Sequence, residues 1–294
     1  MPNTTAEENP SQWASTVWFA VYVTECIMIF TINAVTLIAF ARNHRLRKRT
    51  TYLIINLTVA DLLVGAVTEP MDLYYPQYDP NFSWQDFTVI ILYNIFPVSS
   101  LTNLSLIALE RLHATLRPFR HCLIDKWAYF EIAICSWLVA LFVSSVMAVF
   151  NLYKPVANVY VWGSAIVLAL LILTISYVII IVKVKSNSPQ HFGSVASDRK
   201  LSVTLFIVTV VSILTILPYS VYAVLIPVGL WYHLSRTAQF NITYVCFVLY
   251  YASSLVNPLI YAIRMQEFRN ALKKLIWKKS PETSRVRPIE LHAM

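Results

Sequence analysis

Seven stretches of this chain are each long and apolar enough to cross a lipid bilayer, at about 17–41, 51–75, 87–116, 127–150, 157–184, 201–227 and 240–263. A spanning helix needs roughly 20 mainly apolar residues to cover a hydrocarbon core of about 30 Å. Lipid offers a bare backbone no hydrogen bonds, so helices or a closed barrel are the available solutions. No alternating barrel pattern is visible. The composition agrees: of 294 residues, 57% are hydrophobic and 13% charged, against about 25% charged in an average soluble domain. Four Gly and four Cys exclude a collagen and a disulfide scaffold. The fold expected is an all-α membrane protein, a seven-transmembrane helix bundle without repeat or second domain. It divides into a tail over 1–16, the bundle over 17–264, an amphipathic helix over 265–278 and a second tail over 279–294.

The net charge is +8, and its distribution reads as topology, not as nucleic-acid binding. One set of connections holds Arg42, Arg45, Arg47, Lys48 and Arg49, then Arg111, Arg117, Arg120 and Lys126. The same side takes Lys183, Lys185, Arg199 and Lys200, and eight more from Arg264 to Arg287. That makes 21 of 23 Lys and Arg, leaving Lys154 and Arg236 opposite. The positive-inside rule then puts the N-terminus outside and the C-terminus in the cytoplasm.

Trp13, Trp18, Trp84, Trp127, Trp162, Trp231 and Trp277 fall near segment ends, where an indole favours the membrane interface. Sequons at Asn3 and Asn81 are candidate glycosylation sites, and a third begins at Asn241. Asn56 and Asn103 head sequons inside segments, beyond the reach of glycosylation. The polar first twelve residues lack a basic start, which predicts no cleaved signal peptide. Cys26, Cys135 and Cys246 lie within segments and Cys122 in a cytoplasmic loop. With no pair in the outer loops, no structural disulfide is expected.

Polar residues inside the spans need a reason, since an ionisable group at mid-membrane costs ~2.5–3.5 kcal/mol on insertion scales. Asp61 is the deepest; Asn33, Ser100, Ser253, Ser254 and Asn257 lie at similar depth. Their oxygens suit a small hard cation such as sodium, a water cluster or a protonatable switch. Hydrogen bonding that merely glues the helices is the other reading. At the cytoplasmic end of the third segment Glu110 and Arg111 can neutralise each other, or Arg111 can snorkel to the interface. Asp198 opens the sixth segment at the same depth, and a guanidinium can hold two carboxylates. A breakable clasp between segments 3 and 6 follows. Pro70, Pro97, Pro218 and Pro258 each free a carbonyl and kink their segment, and Asn257 can re-satisfy the backbone near Pro258. After Arg264, Phe268, Leu272, Leu275 and Ile276 share one face opposite Arg269, Lys273 and Lys274. That pattern predicts a short helix lying on the cytoplasmic leaflet.

These residues, in this order, resemble a rhodopsin-like (class A) G-protein-coupled receptor. The match runs through Asn33, Leu57 to Asp61, Glu110-Arg111-Leu112, Trp137, Tyr177, Pro218, Asn257-Pro258-Leu259-Ile260-Tyr261 and Phe268. The resemblance implies a sodium pocket at Asp61, Ser100 and Asn257, with no cofactor beyond that allosteric ion. It implies a resting clasp of Arg111 with Glu110 and Asp198, and an open state supported by Tyr177 and Tyr261. Glu69, Asp72, Tyr93, Asn94, Tyr219, Ser220, Phe247 and Tyr251 are its ligand-pocket positions.

Several departures stand out. Asp86 occupies the position of the family's bridging Cys at the outer start of helix 3, and the second outer loop (about Asn151–Val156) is very short. Ala169 stands where helix 5 has a proline. Helix 6 reads Thr215-Ile216-Leu217-Pro218 without the switch Trp, and Ser212 stands where an aromatic is common. The missing disulfide and proline are similar to the melanocortin, lysophospholipid, cannabinoid and adenosine receptor group.

Tyr251 at the retinal-linking position excludes a photopigment, and Tyr93 in place of the helix-3 Asp disfavours a biogenic amine. Glu69, Asp72, Asp79 and Asp86 gather near the outer mouth, which favours a cationic peptide, an amine or a divalent ion; a solvated rim is the plain alternative. The resemblance implies a plasma-membrane receptor that converts binding of a small-molecule, lipid or peptide ligand into G-protein activation. Arrestin, through Ser280, Thr283 and Ser284, and membrane lipids are further expected partners. Two alternatives are a receptor-like protein that assembles with or traffics other receptors, and a transporter or proton channel centred on Asp61. No clustered nucleophile and base suggests an enzyme.

Overall fold

A computed structural model describes residues 11–43, 46, 51–74, 84–153, 155–186 and 194–276. Asn3, Asn81, Asp79 and the tail positions Ser280, Thr283 and Ser284 lie outside the described residues, as do the side chains of Asp86 and Asp198. Among the described residues the regular elements are all helical. They are α1 (Gln12–Arg42), α2 (Thr51–Leu63), a π-helical turn (Val64–Thr68), α3 (Glu69–Tyr74), α4 (Trp84–Leu116) and α5 (Pro118–His121). Then come α6 (Lys126–Tyr153), α7 (Pro155–Ser186), α8 (Ser194–Val228), a 3-10 turn (Leu230–His233), α9 (Arg236–Arg264) and α10 (Gln266–Ile276). Seven of these helical stretches are long and apolar enough to cross a membrane, with α2, the π turn and α3 forming the second span.

The helices run past the apolar stretches because hydropathy marks the part in lipid, while capping groups further out end the helix. The Ser11 hydroxyl accepts from the Ala14 N–H at 3.2 Å and opens α1; Ser235 accepts from Ala238 at 3.3 Å and opens α9. α8 stops at Gly229, whose φ of +84° is left-handed backbone, a conformation glycine adopts without steric cost. Only residue 154 separates α6 from α7.

Pro97 and Pro258 sit inside unbroken helices. Pro70 behaves differently. It cannot donate to the Ala66 carbonyl and its ring presses on that turn. The turn before it, Val64–Thr68, is π-helical, which opens the ring of hydrogen bonds where proline needs room.

Three apolar clusters lie among the described residues of the bundle. One, at the level of the N-terminal half of α1, includes Tyr22, Ile29, Trp162, Tyr222, Phe247 and Tyr250. Another, at the level of its C-terminal end, includes Phe40, Leu57, Ile107, Leu205, Tyr261 and Phe268; a smaller third holds Ala108, Leu173, Tyr177 and Ile180. Large apolar side chains also point away from the protein, such as Phe142 at 70% and Val182 at 62% exposed, as a lipid-facing surface requires. Trp13 and Trp127 are exposed near helix ends, as interfacial indoles should be. Trp162 and Trp231 are not interfacial. Both are buried, Trp162 edge-on to Tyr250 at 5.9 Å and Trp231 edge-on to Tyr222 at 4.9 Å. Sequence position gave their depth, but the rotation of the helix turned them inward.

α9 breaks at Met265, an extended residue, and α10 leaves with Phe268 pressed on Phe40 at 5.3 Å and Tyr261 at 6.2 Å. Lys273 and Lys274 stay exposed on its other face.

Candidate functional site

Asp61 is fully buried on α2 and gathers three donors from two other helices. The Ser100 hydroxyl of α4 donates to Oδ1 at 2.7 Å, the Ser254 hydroxyl of α9 donates to Oδ1 at 3.1 Å, and the Asn257 amide donates to Oδ2 at 2.6 Å. Asn33 of α1 joins the layer by donating to the Ser254 carbonyl at 3.2 Å. The amide oxygens of Asn33 and Asn257 are buried without a partner. Each predicted member of this layer except Ser253 therefore bonds within it. Ser253 instead lines a cavity of about 20 Å³ beside it, together with Ser100, Ser254, Ser212, Trp162 and Tyr251. That is room for about one water. Ser212 Oγ and Trp162 Nε1 are buried there without a protein partner, so the cavity is polar enough to hold it.

A second polar layer lies nearer the C-terminal end of α4. Asn56 accepts from Trp137 Nε1 at 2.9 Å and donates to Asn103 Oδ1 at 2.7 Å and to Ser136 Oγ at 3.0 Å. One amide thus ties α2, α4 and α6.

Near the C-terminal end of α4, Arg111 is 4% exposed. Its Nε and Nη2 donate to Glu110 Oε2 and Oε1 at 2.5 and 2.6 Å, a fork that fixes both planes. Sequence reasoning missed two further members. His121 Nε2 hydrogen-bonds Glu110 Oε1 at 2.8 Å and the Tyr129 hydroxyl at 3.1 Å. The short α5 folds His121 back under α4, and Pro118 two residues after Leu116 was the available signal of that turn. Asp198 lies in α8, but its side chain is outside the described residues. Tyr177 meets Thr209 Oγ1 at 3.4 Å and lies within range of the Arg111 charge. Tyr261 is fully buried, within electrostatic range of Asp61 and Tyr177, its hydroxyl unpartnered.

The half of the bundle at the N-terminal end of α4 is lined with tyrosines. Tyr93 accepts from the Tyr251 hydroxyl at 3.1 Å, and Tyr219 packs on Tyr250 at 4.5 Å and Phe247 at 5.1 Å. Asp72 is half-buried, within electrostatic range of Tyr93, Tyr219 and Tyr251. Asn94 and Ser220 turn back on their own helices, donating to the Ile90 carbonyl at 2.8 Å and the Ile216 carbonyl at 3.1 Å. Glu69 is not on the mouth: it is fully buried against Glu25 of α1, because the π turn before it rotates it toward the α1 seam.

An aromatic basket at one end, a buried carboxylate layer in the middle and a clamped arginine at the other define a seven-helix membrane receptor. The chain matches the family described as 7 transmembrane receptor (rhodopsin family), over residues 32–161 and 152–261. It is 27% identical over 281 residues to the allatostatin-A receptor of Bombyx mori, covering 85% of this chain and 76% of that one. The substance-K receptor of Mus musculus is 24% identical over 306 residues, with 89% and 75% covered. The lysophosphatidic acid receptor 3 of Homo sapiens is 24% identical over 305 residues, with 90% and 79% covered. The chain belongs to the rhodopsin family and is a G-protein-coupled receptor.

Proposed function

We propose that this receptor sits in the plasma membrane with its N-terminus outside, and that a ligand bearing a cationic group enters the tyrosine-lined outer half. The imbalance of Lys and Arg supports the orientation. Tyrosine faces attract a cation, and Asp72 supplies the opposite charge. Rearrangement of Tyr251 and Tyr250 reaches the Asp61 layer through the small cavity they share with Ser100 and Ser254. The inner end then opens, and Arg111 leaves Glu110 for the G protein. The basic inner face suits anionic lipid as well as this partner, and Ser280, Thr283 and Ser284 would serve arrestin once phosphorylated.

The Asp61 layer fits the sodium ion the family implies. Its donor set is all oxygen, and the unpartnered Asn257 Oδ1 adds a neutral acceptor of the kind hard cations take. Asp61, Ser100, Ser254 and Asn257 would hold the ion, whose charge would compensate the buried carboxylate and favour the closed bundle.

The observation that carries the receptor mechanism is the buried Arg111–Glu110 fork. Guanine-nucleotide exchange, measured in membranes with a panel of heterotrimeric G proteins, tests it. Arg111→Ala should lose exchange while the protein stays folded at the surface; exchange at the wild-type rate in that variant would sink the assignment.

A further inference from the structure

Glu25 on α1 and Glu69 on α3 face each other about one helical turn from a close contact between α1 and the π turn. Gly65 lies so close to Ile29 that an added Cβ would stand 2.6 Å from Ile29 Cγ2. Glu25 precedes Ile29 by four residues, about one α-helical turn, and Glu69 follows Gly65 by four across the π turn, so the close approach at Gly65 and the π turn together bring the two acids to one seam. Their carboxyl groups are in side-chain contact. Glu69 is 0% and Glu25 7% exposed. Glu25 Oε2 and both Glu69 oxygens have no hydrogen-bond donor.

Among the described residues the surroundings offer no counter-charge. Tyr22 and Cys26 of α1 and Asp72 of α3 are the titratable groups around the pair, with Tyr244 of α9 beyond Tyr22. They are phenols, a thiol and a third acid. The Cys26 thiol lies against Glu69 without hydrogen-bond geometry. Two ionised carboxylates in contact, buried and without cation or donor, would repel each other and drive α1 from α3. One proton between them removes a charge and supplies the missing donor. Glu25 also borders a mostly apolar groove of about 590 Å³ between α1 and α9.

We propose that Glu25 and Glu69 form a proton-binding site, and that the shared proton is a ligand of the receptor that clasps α1 to α3. The side from which the proton arrives rests on the orientation proposed above; the site itself does not. The carboxylate pair takes up one proton as a carboxyl–carboxylate hydrogen bond and releases it unchanged, so no other reactant is needed. The clasp is intact when the proton is bound and lost as rising pH removes it. The folding equilibrium then falls by up to about tenfold per pH unit for one proton.

The test is thermal unfolding of the full chain in lipid nanodiscs across a pH series, with no ligand or G protein, so its failure is separable from failure of the signalling mechanism. Wild type should lose stability as pH rises, while Glu25→Gln and Glu69→Gln, whose amide supplies a donor at any pH, should not. Alkaline loss unchanged in both variants would overturn the proposal. In an Asp61→Asn background, recovery of alkaline stability by calcium or sodium chloride, absent with a choline salt, would also overturn it, in favour of a metal ion bound at the pair. Infrared spectroscopy covers the case of a variant that does not fold. In an Asp61→Asn, Asp72→Asn background the C=O stretch of a protonated carboxylic acid should be present at neutral pH and vanish on alkalinisation; its absence at neutral pH would refute the shared proton.

Discussion

The contact between Gly65 and α1 sets a sharp steric test. An alanine Cβ at residue 65 would lie 2.6 Å from Ile29 Cγ2, 2.8 Å from Ile29 Cβ and 3.0 Å from the Phe30 backbone nitrogen. Ordinary contact begins at 3.4 Å, so the helices must part by close to an ångström. No flexible side-chain end is there to yield: Ile29 is β-branched and stiff, and the third neighbour is backbone. Overpacking of this kind costs about 1–3 kcal/mol, which at about 2–4 °C per kcal/mol lowers the Tm of Gly65→Ala by roughly 2–12 °C. Gly163 provides the control. Its added Cβ would meet nothing within 4 Å, and it lies inside α7, where Ala is favoured over Gly by about 1 kcal/mol. Thermal unfolding of both variants in the same lipid nanodiscs, followed by tryptophan fluorescence, reads the difference. Gly65→Ala should fall and Gly163→Ala should hold or rise. Equal Tm values for the two would refute the close approach of α1 and the π turn, and with it the geometry that brings Glu25 to Glu69.

Three further outcomes follow from the polar layers. Asn56→Leu removes three interhelical bonds; at about 0.6 kcal/mol each in membrane proteins they come to about 2 kcal/mol. Trp137→Phe should lose about a third of that, and a double-mutant cycle of unfolding should show the two changes to be less than additive. Sodium chloride should raise the Tm of wild type over a choline salt of equal ionic strength, by up to about 2.7 kcal/mol at a hundredfold excess over Kd, and should leave Asp61→Asn unmoved. Phe268→Ala, which strips a ring buried against Phe40 and Tyr261, should detach α10 and cost about 3 kcal/mol; amide exchange over 266–276 reads that release.

How much of this was legible beforehand follows from what a hydropathy pattern encodes. It gives depth, and depth was enough to bring Asp61, Ser100 and Asn257 to one level and to set Arg111 at the inner end. It gives no rotation where a segment is apolar all round. α7 is such a helix, so nothing local said that Trp162 faces Tyr250 and the cavity, and its place near a helix end argued for the interface. His121 was legible as cytoplasmic and no further, because its contact with Glu110 depends on how α5 folds back.

Glu69 is the most instructive of these cases. Its depth placed it with Asp72 near the outer mouth, and an unbroken α-helix would carry that reading through. One extra residue per turn, however, rotates everything beyond it by about 100°, and the π turn at Val64–Thr68 lies between Asp61 and Glu69. The rotation turns a rim acid into a buried partner of Glu25, a residue 44 positions earlier with no sequence pattern linking the two. Pro70 was the one visible cause. Its missing N–H made a disturbance of the preceding turn necessary, but a kink and a π turn relieve the same clash and aim Glu69 in different directions. Restoring the donor with Pro70→Ala should therefore do more than straighten a helix. It should let Val64–Thr68 close to α-helix, rotate Glu69 off the α1 seam and flatten the pH dependence of stability, without touching either carboxyl group. A Pro70→Ala profile identical to wild type would mean that the aim of Glu69 is set by packing against Ile29, and not by the proline.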